Sequence, residues 1–119
     1  MMKCSIGGIG KMDKEKVKVF ISQPMNGLSD IEILNRRENA IVNIVNFLNK
    51  EGYKNIEIID TFFELGESAK PLHYLSKSLE CLADCDVAYF LKGWSNARGC
   101  NIEEFCAREY GIKKVVYEL

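Results

Sequence analysis

The chain has 119 residues, of which 47% are hydrophobic and 28% are charged, and its net charge is −1. This size fits one compact domain with a modest core and leaves no room for a second domain. The charged residues are scattered, which argues against a nucleic acid polymer or a membrane surface as a partner. No apolar stretch is long enough to span a membrane, and residues 1–18 lack the apolar core of a signal peptide, so we expect a cytoplasmic protein.

The five cysteines are expected to be reduced thiols, because the chain shows no export signal. Cys81 and Cys85 could share a helix face, and Cys100 and Cys106 flank one turn of a predicted helix. No Cys-x-x-Cys pair occurs, and His73 is the only histidine. We therefore expect the cysteines to be small core residues, with no metal and no cofactor.

The first part of the chain predicts a strand, a turn loop and a helix. Residues 1–16 are predicted to be a mobile start, and residues 17–22 are typical of a buried strand. Pro24 and the following Asn-Gly mark a turn. Ser29 and Glu32 predict a capping box that opens a helix. Before Gly52 ends it, this helix presents one apolar face, formed by Leu34, Ile41, Ile44, Val45 and Leu48.

The second part repeats the alternation. Residues 55–60 predict a strand, and Pro71 opens the next helix as a first-turn proline. Residues 86–91 are almost continuously apolar, which is typical of a central strand covered on both faces. Residues 92–98 form a loop before a third helix, and residues 113–117 form a last strand. The second helix is expected to bury Leu72, Leu75, Leu79 and Leu82.

This alternation predicts a single α/β domain at residues 17–119, with a mostly parallel sheet of four to five strands and helices on both faces. Such a fold is Rossmann-like or flavodoxin-like. In such sheets, ligands bind outside the carboxyl ends of the strands, near the point where the strand order reverses. We therefore expect the loops at residues 22–28, 61–66 and 92–99 to meet around one crevice.

Glu103 is a carboxylate at a position where the third helix should be apolar. At about 100° per residue, it projects between Tyr110 and Ala107, within an arc of apolar side chains. A buried carboxylate is costly unless it is paired, hydrogen-bonded or used in chemistry. Glu103 is therefore a candidate nucleophile or base facing the crevice. The alternative is a structural role, in which Glu103 pairs with a buried Arg or Lys or interacts only with the positive end of the helix dipole.

Glu104 is expected to have a different role from its neighbour. Asn101 followed three residues later by Glu104 predicts a capping box at the start of the third helix. Glu104 and Arg108 would then point away from the crevice. This start would place Glu103 in the first turn, where the positive end of the helix dipole favours an ionised carboxylate.

The crevice loops contain candidate binding residues of three kinds. Hydrogen-bonding side chains and a glycine could contact a ligand. The aromatic residues Phe62, Phe63 and Trp94 could cover an aromatic ring. Arg98, together with the helix end at Gly99, could bind a phosphate. Turn formation, core packing and surface exposure are the ordinary alternatives for these residues. The substrate-binding candidates are Ser22, Gln23, Met25, Asn26, Gly27, Trp94, Asn96, Arg98 and Gly99.

Both ends of the chain resemble a known family. Residues 86–117 contain an apolar strand after Cys-Asp, a Gly-Trp loop and the run Arg-Gly-Cys-Asn-Ile-Glu, with Ala107 and Gly111 following. This arrangement is similar to the closing half of the nucleoside 2-deoxyribosyltransferase superfamily. Residues 19–27 resemble the first-strand signature of a small bacterial and phage branch of that superfamily. The middle of the chain matches only in its order of strands and helices.

The resemblance implies a function for Glu103. In the characterised members, the matching glutamate attacks the anomeric carbon of a deoxyribosyl group and displaces the base, and another base or water then takes the sugar. It also implies that a neighbouring subunit completes the crevice, so we expect a homodimer or a larger homo-oligomer. The expected ligand is a small-molecule nucleoside or nucleotide.

The sequence departs from this family at the acid that would protonate the leaving base. The transferases carry acidic residues just before the glutamate turn, whereas this chain has Asn96, Ala97 and Arg98. Ser78 stands where another family acid is expected. These departures leave four functions open: an N-deoxyribosyltransferase, a nucleotide N-glycosidase, an NAD-type ribosyl hydrolase, and a non-catalytic nucleotide sensor or interaction module.

Overall fold

The computed structural model describes Met2–Cys4 and residues 16–119. Strands and helices alternate along the chain as the sequence predicts. In chain order they are β1 (Met2–Cys4), β2 (Lys16–Ser22), α1 (Asp30–Lys50), β3 (Asn55–Ile58), α2 (Pro71–Ala83), β4 (Val87–Phe90), a short 3₁₀ helix (Trp94–Asn96), α3 (Arg98–Glu109) and β5 (Lys114–Glu118).

The strands form one mostly parallel sheet with the spatial order β1-β5-β4-β2-β3. β3, β2, β4 and β5 run parallel to one another, and β1 pairs with β5 in the antiparallel direction. The four parallel strands therefore have the order of a flavodoxin-like sheet, and the strand order reverses between β2 and β4. The predicted single α/β domain is confirmed.

The amino-terminal strand is absent from the sequence-based prediction. Residues 1–16 were expected to be mobile, but Met2–Cys4 pairs with residues 116–118 of β5, and Lys16 already belongs to β2. The other residues of that segment, 1 and 5–15, lie outside the described residues. A three-residue run has too little apolar periodicity to be recognised without its partner strand.

The two faces of the sheet are covered by different helices. Val19 and Ile21 of β2 point towards α1, whereas Phe20, between them, packs with residues of α2 and α3. Side chains alternate in this way because successive residues of a strand point to opposite faces. Val87–Phe90 is fully buried, as predicted for a central strand. The predicted helices on both faces are confirmed.

The first helix begins as predicted. Ser29 Oγ accepts a hydrogen bond from the Glu32 backbone N–H at 3.2 Å, and the Ser29 N–H donates to Glu32 Oε1 at 3.1 Å. Its buried face differs in part from the predicted one. Leu48 is fully buried, as predicted, but Leu34 is 53% exposed. The buried side chains of α1 are Arg37, Ala40, Ile44 and Leu48.

None of the helices in the described ranges combines the length and the apolar character that crossing a membrane requires. The four cysteines of residues 16–119 are free thiols, as expected.

The difference between Leu34 and Leu48 gives a test of the helix orientation. Leu48→Ala leaves a cavity between α1 and the sheet and should lower the free energy of unfolding by about 2–5 kcal/mol. Leu34→Ala is the matched control, because it removes the same atoms from an exposed position and should cost less than about 1 kcal/mol. Urea unfolding measures both values, and equal losses would contradict this orientation of α1.

Candidate functional site

An open cleft of about 680 Å³ lies at the carboxyl ends of β2 and β4, where the strand order reverses. Its walls come from the loop after β2, the first half of α2 and the start of α3. A smaller cavity of about 50 Å³ adjoins it. The two spaces share four lining residues, namely Gln23, Met25, Ser78 and Glu103. This is the place where open α/β sheets bind ligands.

Glu103 lies on the wall common to both spaces. Its side chain faces the cleft, as the sequence predicts, and the residue is only 8% exposed. Ser22 Oγ donates a hydrogen bond of 2.7 Å to Glu103 Oε1, and Ser78 is a second hydrogen-bonding partner. Ser22 is the last residue of β2, so this bond fixes the carboxylate against the end of a central strand.

Burial controls the protonation of Glu103. It raises the pKa of this carboxyl group above the ordinary value of 4.5, and the hydrogen bonds from Ser22 and Ser78 partly offset that rise. Among the described residues, no Lys, Arg or His forms an ion pair with Glu103. The structural alternative, a buried ion pair, is therefore not found within the described ranges.

Cys100 also lines the cleft and could compete with Glu103 as a nucleophile. Burial, which is the largest effect, raises the pKa of the Cys100 thiol to about 11, and the nearby Glu103 charge acts in the same direction. A thiol with this pKa is protonated at neutral pH and therefore reacts poorly. Glu103 is the better candidate nucleophile of the cleft.

The start of α3 corrects the sequence prediction. The helix begins at Arg98 with Ala97 as its N-cap, four residues before the predicted Asn101 cap. Asn101 Nδ2 instead donates hydrogen bonds to Ser95 O and Ala97 O, which tie the helix to the preceding 3₁₀ turn. Glu103 consequently lies in the second turn, beyond the strongest influence of the helix dipole.

Glu104 is also placed differently from the prediction. It is 7% exposed, it accepts a 2.6 Å hydrogen bond from Tyr117 Oη, and it pairs with Arg108 at 3.2 Å, instead of forming the predicted capping box with Asn101. Tyr110, which was expected within the apolar arc, is exposed, and so is Phe105. The helix is therefore rotated about its axis relative to the predicted orientation, although Ala107 is buried as expected. Its buried side is Cys100, Glu103, Glu104 and Ala107.

Most of the predicted binding residues lie together. Ser22 lies beneath Glu103 and holds its carboxylate. The Gln23 side-chain amide donates to Ile33 O at 2.7 Å, which orients this residue in the wall shared by the two spaces. The predicted residues that line the cleft are Gln23, Met25, Asn26, Arg98 and Gly99.

Three predicted binding residues lie elsewhere. Trp94 packs against Phe90 and Tyr117, with ring centroids 5.7 and 5.6 Å away, so its role is core packing. Asn96 is exposed in the 3₁₀ helix and does not line the cleft. Gly27 has a φ of +80° in an exposed turn, which explains the glycine without a ligand.

The second helix contributes residues that the sequence analysis placed incorrectly or missed. Leu72 was expected in the core, but it is 72% exposed and lines the cleft together with Leu75. Lys70 and Tyr74 also line the cleft and were missed. The period-3.6 pattern of α2 identifies its apolar side, but it cannot distinguish a side facing the sheet from one facing an open cleft.

The family of the chain is established by a match over most of its length. A family model described as "Domain of unknown function (DUF4406)" matches residues 17–117. The chain belongs to this family. The match includes every described residue that lines the cleft and the small cavity. Comparisons with curated proteins and with solved structures gave no match.

The described residues contain no group of three or more His, Cys, Asp or Glu side chains that could hold a metal ion.

The two adjacent buried glutamates should respond in opposite ways to the loss of charge. Glu103→Gln removes a buried charge that forms no ion pair with a cation of the described residues, so we expect a higher free energy of unfolding at pH 8. Glu104→Gln weakens the contacts with Arg108 and Tyr117 and should cost about 1–3 kcal/mol. Urea unfolding of the two variants at the same pH tests the contrast.

The sign of the pH dependence follows from the raised pKa of Glu103. The folded protein holds this proton more tightly than the unfolded chain, so stability falls as the pH rises from 4.5 through the folded-state pKa. The free energy of unfolding of Glu103→Gln should exceed that of the wild type by a small amount at pH 4 and by a larger amount at pH 8. A Gln variant that is less stable than the wild type at pH 8 would show that the charge is balanced.

Proposed function

We propose that the protein binds a nucleoside or nucleotide in the cleft and cleaves or transfers its N-glycosidic bond, with Glu103 as the nucleophile. The observation that carries this proposal is the buried Glu103 carboxylate, which faces the cleft and is oriented by Ser22 at 2.7 Å. The resemblance of the glutamate segment to the nucleoside 2-deoxyribosyltransferase superfamily adds independent support.

The reaction has two balanced steps. A Glu103 carboxylate oxygen attacks the anomeric carbon, the carbon–nitrogen bond breaks, and its electron pair leaves with the base. A second base or a water molecule then attacks the same carbon, releases the carboxylate and loses a proton. The first step needs ionised Glu103, and the hydrogen bond from Ser22 favours this form against the effect of burial.

The charges around the cleft favour a substrate with a negative substituent. Lys70 and Arg98 are exposed cations on the cleft wall. A 5′-phosphate would contact these cations, so a deoxynucleoside monophosphate is the substrate form that we favour.

A second copy of the chain is part of the proposal. Leu72 and Ile102 are exposed apolar residues on the two sides of the cleft, and Phe105 continues this surface along α3. Burying these side chains against a second subunit would also close the open cleft. Light scattering should therefore show a homodimer or a larger homo-oligomer, and a monomer at micromolar concentration would contradict this part of the proposal.

Base release from a panel of substrates tests the function. Deoxynucleosides, their 5′-monophosphates and NAD are incubated with the protein, and the free base is followed by chromatography. We expect release from at least one deoxynucleotide, with a loss of at least about 1000-fold in Glu103→Gln. Release should also decline as the pH falls through the raised pKa of Glu103, because protonation removes the nucleophile.

Glu109→Gln is the matched control, since it changes an exposed carboxylate of the same helix away from the cleft and should leave release unchanged. A preference for NAD would indicate a ribosyl hydrolase instead. Binding without release, unaffected by Glu103→Gln, would contradict the proposal and favour a non-catalytic sensor.

A further inference from the structure

Arg37 is a buried cation beside the proposed site, and it takes no part in the proposed attack of Glu103 on the sugar. It belongs to α1 and is only 8% exposed. One guanidinium nitrogen, Nη2, donates to Ile59 O at 3.2 Å, and the guanidinium carbon lies 4.9 Å from the centroid of the Phe62 ring. Burial lowers the pKa of Arg37, and Asp60 partly offsets this effect. An arginine nevertheless stays charged under these conditions.

The guanidinium group has donors that reach the small cavity. Among the described residues, Ile59 O is the one hydrogen-bond acceptor of Arg37. No buried side-chain nitrogen or oxygen of these residues lacks a partner, so the other guanidinium nitrogens must contact accessible space. Arg37 lines the 50 Å³ cavity together with Glu103, Thr61 and Phe62, so this cavity is an accessible space next to the guanidinium group.

The cavity selects the kind of group that Arg37 can bind. Its volume accommodates a group of the size of one or two water molecules. An anion bound before the reaction would be opposed by the charge of Glu103 on the cavity wall and by Asp60 next to the guanidinium. The Glu103 charge is lost once the carboxylate has formed the sugar ester, so it does not oppose the charge that develops on the leaving base. A neutral carbonyl oxygen fits the volume, accepts the N–H donors and avoids this repulsion. The adjoining cleft would hold the ring that carries the oxygen.

The leaving base requires help that no second carboxylate provides. Of the described residues that line the cleft and the small cavity, Glu103 is the one acid. A base that leaves without being protonated carries the electron pair of the broken bond as negative charge. In a base with an exocyclic carbonyl group, that charge delocalises onto the carbonyl oxygen. A fixed cation at this oxygen would stabilise the transition state more than the neutral substrate.

We propose that Arg37 binds an exocyclic carbonyl oxygen of the base and stabilises the negative charge that develops there as the glycosidic bond breaks. This inference rests on the proposed function. Glu103 forms the new bond to the anomeric carbon, the base leaves as an anion stabilised by Arg37, and a water molecule protonates the base after it leaves. The preferred substrates are therefore oxo-bases, such as hypoxanthine, rather than adenine, whose 6-amino group repels the guanidinium donors.

The test compares two substrates that differ at a single position of the base. Base release from the 5′-monophosphates of deoxyinosine and deoxyadenosine is measured with the wild type, Arg37→Met and Arg37→Lys. Arg37→Met should lower kcat/KM for the deoxyinosine nucleotide by about 100-fold, mainly through kcat, and that for the deoxyadenosine nucleotide by less than about 3-fold. Arg37→Lys keeps the charge but loses the planar guanidinium group, so its kcat/KM for the deoxyinosine nucleotide should lie between those of the wild type and the Met variant.

Arg36→Met is the matched control, because this neighbouring arginine donates to Lys92 O at 2.8 Å and lines neither space. It should leave both substrates unaffected. If Arg37→Met does not fold, Arg37→Lys supplies the same comparison. Equal losses for the two nucleotides, or no loss, would overturn the role of Arg37 while leaving the Glu103 reaction intact.

Calorimetric titration with free hypoxanthine and adenine separates this inference from the proposed function. If no base is released from any nucleotide but hypoxanthine binds and Arg37→Met weakens its binding by at least about 10-fold, the catalytic proposal fails and recognition of the oxo group stands. If neither release nor hypoxanthine binding occurs, both proposals are overturned.

Discussion

The hydrogen bond from Ser22 Oγ to Glu103 Oε1 joins the two elements on which the site depends. Ser22 ends β2 and Glu103 lies in the helix that follows β4, so the bond spans the point where the strand order reverses. The register of the sheet makes this contact possible, because Ser22 is paired with Phe90 at the end of β4. Without this contact, the buried carboxylate would have less support for its ionised form, and its direction into the cleft would not be fixed.

Two buried charges of opposite sign share the small cavity without pairing with each other. Glu103 is held by Ser22 on one side, whereas Arg37 is held by Ile59 O and covered by Phe62 on the other. A direct ion pair would satisfy both groups and leave neither for a ligand. Leaving the two charges unpaired is unfavourable for the stability of the free protein. In the proposed reaction the same arrangement is useful, because Glu103 would attack the sugar at one end of the glycosidic bond while Arg37 stabilises the base at the other. Glu104, one residue from Glu103, is fully paired and illustrates the purely structural use of a buried acid.

The sequence was sufficient to predict the fold and the direction of Glu103, because both depend on strong local patterns. Apolar runs such as residues 86–91, and the alternation of strands with helices, identified the sheet, and the rule for open α/β sheets located the crevice. The orientations of the helices were less predictable. The rotation of α3 depends on how the whole helix packs against the sheet, and the exposure of Leu72 depends on the open cleft beside α2. Neither is visible in the sequence of a single helix. Arg37 was missed because a charged side chain is expected on the solvated face of an amphipathic helix, whereas Arg37 lies on the buried face of α1.

The central claim is that Glu103 becomes bonded to the anomeric carbon of the substrate, and the most direct measurement is mass spectrometry of the protein during turnover. A rapidly quenched reaction, digested and sequenced by fragmentation, should show a sugar ester on the peptide that contains Glu103, and the Glu103→Gln variant should show none. Base release without such an adduct, or with the sugar attached to another residue, would contradict the account.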